Sequence, residues 1–92
     1  LYESAHQKYN SSFIKLCNLL YLFLQNSPRG KEGRIDLTQE NIAEILSMTR
    51  VNAARNLARL RDEQIIVPHR KWIQVIDLKA LEAYCSEETL SR

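Results

Sequence analysis

The sequence has little of what membrane, metal-binding or phosphate-binding proteins rely on. Its two glycines, Gly30 and Gly33, are no basis for a glycine-rich loop that cradles a phosphate. Its two cysteines, Cys17 and Cys85, form no C-x-x-C pair, and with His6 they lack metal-ligand spacing, which argues against a zinc site. Cys17 lies in an apolar helical run where it packs as a small hydrophobe, a usage that suits a reducing cytoplasm. The most apolar run, FIKLCNLLYLFL at 13–24, is too short to span a bilayer, is interrupted by Lys15 and Asn18, and lacks the leading position of a signal peptide. No repeat is visible. The acidic residues are scattered without a partner nucleophile, so an enzyme reading fails for want of a constellation.

What is present describes an ordinary globular chain. Ninety-two residues make one domain with a small core, and a 45% hydrophobic, 26% charged composition argues against disorder. The chain begins at Leu1 rather than Met, which suggests a fragment of a longer protein with an N-terminal part missing. Net charge is only +2, but its distribution is uneven. Positions 1–48 are neutral, positions 49–71 carry +4 through Arg50, Arg55, Arg59, Arg61, Arg70 and Lys71 against Asp62 and Glu63, and positions 72–92 carry −2. A positive field concentrated in one segment is the footprint of a surface that contacts DNA.

The order of elements gives that segment a structural setting. Residues 4–25 read as a helix with Tyr9, Phe13, Leu16, Cys17, Leu20 and Leu24 on one face, while Leu19, Leu22 and Phe23 add apolar surface that needs cover. NSPRGKEG at 26–33 reads as a loop, and RIDL at 34–37 as a brief extended segment. Thr38 is a good N-cap for a second helix through Leu46, with Ile42, Ala43, Ile45 and Leu46 inward; Asn41 stands where a capping-box Glu would be stronger. After a short SMT connection Thr49 caps a third helix that runs to Glu63. Two helices joined so tightly make a helix-turn-helix. Ile65 to Val67 and Trp72 to Ile76, around the link Pro68 to Lys71, read as a β-hairpin, and Asp77 caps a last helix, LKALEAYC. The expected fold is therefore mainly α with a small β-hairpin wing, a winged helix-turn-helix.

On a wheel of about 100° per residue, Ala53, Leu57 and Leu60 of the third helix fall within about 60° and face a core. Val51, Asn52, Arg55 and Arg59 gather opposite within about 100°, with Arg50 on the flank of the first turn. A polyanion fits such a face. So does plain solvent, because Arg is a good helix former, and a basic helix alone does not separate the two.

The segment IDLTQENIAEILSMTRVNAARNLARLRDEQIIVPHRKWIQVID resembles the DNA-binding domain of the Crp-Fnr family, bacterial regulators related to catabolite activator protein. TRVNAAR is similar to the family's S-R-E-T-V-x-R recognition motif, IIVPHRKWIQV to its wing, and SFIKLCNLLYLF to the helix after the dimerisation helix. The resemblance implies one winged-helix DNA-binding domain over residues 1–92, from a longer protein whose sensor and dimerisation parts lie outside this chain. No cofactor is expected in this domain. The effector, whether nucleotide, iron-sulfur cluster, haem or another small molecule, belongs to the sensor part and is not named by these residues.

Site roles follow from the same resemblance. Arg50 and Arg55 occupy the two Arg positions that read guanine in the family, a pairing of N–H donors with O6 and N7. Thr49 matches the Ser or Thr that contacts phosphate at the helix N-terminus, Thr38 a backbone-contacting position, and His69 and Lys71 basic wing positions on phosphate. Arg59 and Arg70 extend the backbone-contacting set. Val51 replaces the motif's Glu and offers a thymine methyl an apolar contact, while Asn52 replaces Thr and suits adenine. Arg70 stands where the wing usually has Gly, so a differently shaped turn is expected, and Glu40 sits near the phosphate path, where it weakens binding.

The resemblance also implies a palindromic duplex target, a homodimer in the full-length protein, RNA polymerase as a further partner, and a cytoplasmic place at the bacterial nucleoid with no membrane contact. The loop at 26–33 matches a polymerase-contacting loop of some activators in position but not in residues. Two readings compete with the DNA interface. His69 can be an ordinary exposed loop histidine, with Trp72 a packed strand residue rather than a base-stacking platform. The whole winged helix can instead be a protein-interaction module whose Arg face meets an acidic partner.

Overall fold

The computed structural model describes residues 2–28 and 30–85, with backbone alone for residues 2–11; Tyr9 of the predicted apolar face and His6 therefore lie outside the described side chains. Helix α1 (Tyr2–Asn26) supplies the base of the core. Phe13, Leu16, Cys17, Leu20 and Leu24 recur at three- and four-residue spacing and are all buried. The Asn26 amide closes the last turn by donating to the Leu22 carbonyl at 2.8 Å. Part of the expected loop is ordered as a 3₁₀ turn, Gly30–Glu32. Gly33 follows it at φ +76°, a conformation in which a side chain is strained, and it lets the Val75 N–H reach the Gly33 carbonyl at 2.7 Å.

That close approach brings the brief extended segment at 34–37 into the sheet. Strand β1 (Arg34–Ile35) lies antiparallel to β3 (Ile73–Val75), with Arg34 opposite Gln74 and Ile35 opposite Ile73. Strand β2 (Ile66–Pro68) pairs on the other side of β3, giving a three-stranded sheet in the order β1-β3-β2 where a two-stranded hairpin was expected. Pro68 belongs to the ladder rather than to the turn, opposite Ile73; on an edge strand its missing N–H can be tolerated. Ile35, Ile65, Ile66, Ile73 and Val75 point into the same core as α1.

Helices α2 (Gln39–Ile45) and α3 (Arg50–Asp62) begin as the sequence suggests. Thr38 Oγ1 accepts from Asn41 N at 3.0 Å and Asn41 Oδ1 accepts from Thr38 N at 3.1 Å, a full capping box in which the shorter Asn reaches as well as a Glu would. Both helices end in Schellman motifs without glycine. Ser47 and Gln64 take the left-handed position at φ 54° and 61°, and the Met48 and Ile65 N–H groups return to the Ala43 and Leu60 carbonyls at 2.9 and 3.0 Å. One expected core residue is displaced: Ile45 is 54% exposed, while Ile42 and Ala43 are buried. At about 100° per residue Ile42, Ala43 and Leu46 share an arc from which Ile45 is turned by about 110°. Helix α4 (Leu78–Tyr84), capped by Asp77 Oδ1 on Ala80 N at 3.1 Å, folds back so that Leu81 completes the core against α1.

Candidate nucleic-acid interface

The site begins with the start of α3. Thr49 Oγ1 accepts from Asn52 N at 3.0 Å, which fixes the first turn and leaves the hydroxyl proton available to an acceptor outside. The N–H groups of that turn face an end of the helix where anions are favoured. Ala53, Leu57 and Leu60 are buried, so the opposite side is forced outward. Val51 is 66% exposed, an unusual position for an isopropyl group, and Arg50 and Arg55 are exposed on either side of it. Asn52 is half-buried. Among the described residues Arg55 has neither an ion-pair nor a hydrogen-bond partner, so its guanidinium fork is free to bind.

Arg50 is held differently. Its Nη2 donates to Glu40 Oε2 at 2.9 Å, and its carbonyl accepts from Gln39 Nε2 at 3.4 Å, so the first turns of α2 and α3 are tied together. Thr38, at the start of α2, is thereby brought near the same end of α3. Glu40 thus acts on a predicted contact residue directly, through a pairing between two helices that no spacing in the sequence signals.

Arg59 is engaged on the other flank. Its guanidinium carbon sits 4.1 Å from the Phe13 ring centroid and 5.4 Å from that of Tyr84, and its Nε donates to Glu63 Oε2 at 3.2 Å. The Tyr84 hydroxyl donates to the other Glu63 oxygen at 2.6 Å, and Tyr84 meets Phe13 edge-on at 4.9 Å. Partial burial alone would lower the Arg59 pKa, but hydrogen bonds with Glu63 and Tyr84 outweigh it and hold the pKa above its ordinary value. The Tyr84 hydroxyl bond, then Arg59, keep the Glu63 carboxyl below its usual range. This cluster binds α3 to α1 and α4 and sets Arg59 apart from Arg50, Val51 and Arg55.

The wing forms a second basic edge. Its ladder runs one pair past the strands, the His69 N–H donating to the Trp72 carbonyl at 2.8 Å, so Arg70 and Lys71 make the tip and are exposed. Arg70 does not need the freedom of glycine, because among the described non-glycine residues only Ser47 and Gln64 have positive φ. His69 stacks on Trp72 at 4.1 Å and 12° between planes. Arg34, not foreseen as a site residue, places its guanidinium 4.4 Å from the Trp72 ring and bonds Asp36 at 2.8 Å. Only the pairing of β1 with β3 brings it there, and no periodicity in the sequence signals that.

Among the described residues no helix is long and apolar enough to cross a membrane, and no three His, Cys, Asp or Glu side chains are grouped to hold a metal ion. The model of the Crp-like helix-turn-helix domain matches residues 14–84. No curated protein matches the sequence. Among the solved structures that share the fold are two of CprK and one of a catabolite activator protein. CprK complexed with OCPA is 24% identical, with a TM-score of 0.67 over 90% of this chain and 42% of that one. Reduced CprK without ligand is 20% identical, with a TM-score of 0.64 over 91% of this chain and 46% of that one. The catabolite activator protein of Thermus thermophilus is 16% identical, with a TM-score of 0.62 over 89% of this chain and 38% of that one. This chain thus spans less than half the length of each of these proteins. With α2 and α3 forming the helix-turn-helix and β2 and β3 the wing, the chain belongs to the Crp-like helix-turn-helix domains of the Crp-Fnr regulators, and is a DNA-binding domain rather than an enzyme.

Proposed function

We propose that this domain reads a specific duplex sequence by laying the N-terminal half of α3 in the major groove while the wing tip follows the backbone. The observation that carries the reading is Arg55 beside the exposed Val51 on α3, because among the described residues Arg55 has neither an ion-pair nor a hydrogen-bond partner. Arg50 and Arg55 each present N–H pairs to guanine O6 and N7, Val51 offers a thymine methyl its contact, and Asn52 suits adenine. Thr49, Thr38, His69, Arg70 and Lys71 meet phosphates. Arg59 is omitted from this set, because its guanidinium is already occupied by Phe13, Tyr84 and Glu63.

In the full-length protein two such domains bind a palindrome whose half-sites lie about 34–36 Å apart, since two-fold protein symmetry must match the groove repeat. An effector held outside this chain would govern that dimer, and contact with RNA polymerase would follow from DNA binding. Two substitutions test the contacts. Arg55→Ala should cost roughly 1–3 kcal/mol on the selected site and relax preference at one base pair. Lys71→Ala should weaken all sequences alike and reduce the salt slope by about 1. Equal losses on selected and random duplexes in both variants would remove Arg55 from the bases. Binding to an acidic protein with no preference among duplexes would replace the reading altogether.

A further inference from the structure

We infer that Glu40 sets how sharply Arg50 reads its base pair, by holding the guanidinium across the helix-turn-helix while repelling the DNA backbone. The inference rests on the reading of α3 as the base-contacting helix. Glu40 lies in the first turn of α2, where the helix dipole favours a carboxylate, and its Oε2 accepts from Arg50 Nη2 at 2.9 Å. Gln39 reinforces the junction by donating to the Arg50 carbonyl at 3.4 Å. The one acid of α3 itself, Asp62, and the C-cap Glu63 lie at its far end, so the carboxylate that meets Arg50 comes from the neighbouring helix.

A guanidinium carries five N–H donors in a planar fork. One bond to one Glu40 oxygen fixes the long side chain while leaving donors for a guanine edge, which removes conformational freedom that would otherwise be lost on binding. The two side chains are 71% and 67% exposed, so the pair is weak enough to adjust when DNA arrives. With α3 docked as proposed, the same exposed carboxylate stands beside the path of the phosphates and opposes binding to any sequence. Glu40 therefore acts with two opposite signs, favouring discrimination and disfavouring affinity. Glu44 provides an internal control. It lines the same open depression of about 300 Å³ with Glu40, Ala43, Met48 and Arg50, but its carboxylate makes no bond to Arg50.

The test is site selection from random duplexes by the full chain, followed by titration on selected and scrambled duplexes, with Arg50→Ala marking the base pair that Arg50 reads. Glu40→Gln should lower preference at that pair by about two- to fivefold, the range an exposed ion pair supports, while raising affinity for scrambled DNA. Glu40→Asp keeps the charge but shortens the reach, so it should lose preference without gaining affinity. Glu44→Gln should raise affinity for scrambled DNA with preference intact. If Glu40→Gln raises affinity equally on both duplexes and leaves preference intact, Glu40 is only a repelling charge and the inference fails. If the wild-type chain selects no sequence, the reading of α3 itself falls first.

Discussion

Replacing Arg59 by alanine separates two roles that its place on α3 allows, phosphate contact and packing. The guanidinium lies 4.1 Å from the Phe13 ring centroid and 5.4 Å from that of Tyr84. With the Arg59 side chain 47% exposed to solvent, such a cation–π contact is worth about 0.5–1 kcal/mol. The ion pair with Glu63 adds about 0.3–0.5 kcal/mol, the value for a helical pair at this spacing whose side chains are 47% and 38% exposed. Arg and Ala have similar helix propensity, so the backbone contributes little. Glu63 keeps the Tyr84 hydroxyl at 2.6 Å and is not left unpartnered. The loss comes to about 0.8–1.5 kcal/mol, or roughly 3–12 °C in Tm for a domain of this size. Urea unfolding should show a lower midpoint with an unchanged m-value, and DNA titrations across salt an unchanged slope. Unaltered stability with a slope reduced by about 1 would refute the packing role and return Arg59 to the phosphates.

Two further outcomes concern the fold around the site. Gly33→Ala should destabilise by more than the roughly 1 kcal/mol of the left-handed conformation alone, because a Cβ there would lie 2.6 Å from the Val75 carbonyl oxygen; urea unfolding measures it. The Cys17 thiol is pushed up to about 12, chiefly by burial, and Cys85 to about 11, so both should react with a disulfide reagent at pH 8 far more slowly in the folded protein than in urea. Because the Cys17 pKa is raised in the folded state, the stability it contributes is present below the usual thiol value of 9.0 and is lost as pH rises towards 12. The fall in urea midpoint between pH 8 and pH 11 should therefore shrink in Cys17→Val.

The helices were legible in the sequence because each carries its own signals. Thr38, Thr49 and Asp77 cap where they were expected to, and the spacing of Phe13, Leu16, Cys17, Leu20 and Leu24 gives the buried face of α1 directly. Short elements were less clear. Strand β1 is two residues long, and only the turn at Gly33, not any alternation of its own, brings it beside β3. Ile45 was misplaced because a seven-residue helix buries too narrow an arc to hold every apolar side chain. At the site, the exposure of Arg50, Val51 and Arg55 follows from helical period alone, whereas Arg59 meets Phe13 and Tyr84 only after α1 and α4 close on α3. The Glu40 to Arg50 pair likewise depends on how the turn through Ser47 sets the two helices. Contacts within a helix could be read from order along the chain; those between elements could not.

The central claim, that the first exposed turns of α3 face base edges, is tested most directly at Val51. A carboxylate at this position would accept from cytosine N4 and be repelled by carbonyl oxygens, whereas the isopropyl group makes only apolar contact and tolerates or favours thymine. Selection from random duplexes by wild type and by Val51→Glu should show preference moving toward cytosine at one base pair by about 1–3 kcal/mol, with the pairs read by Arg50 and Arg55 unchanged. An identical base preference at every position in the two selections would mean that Val51 does not face the bases, and would contradict the docking of α3 in the major groove.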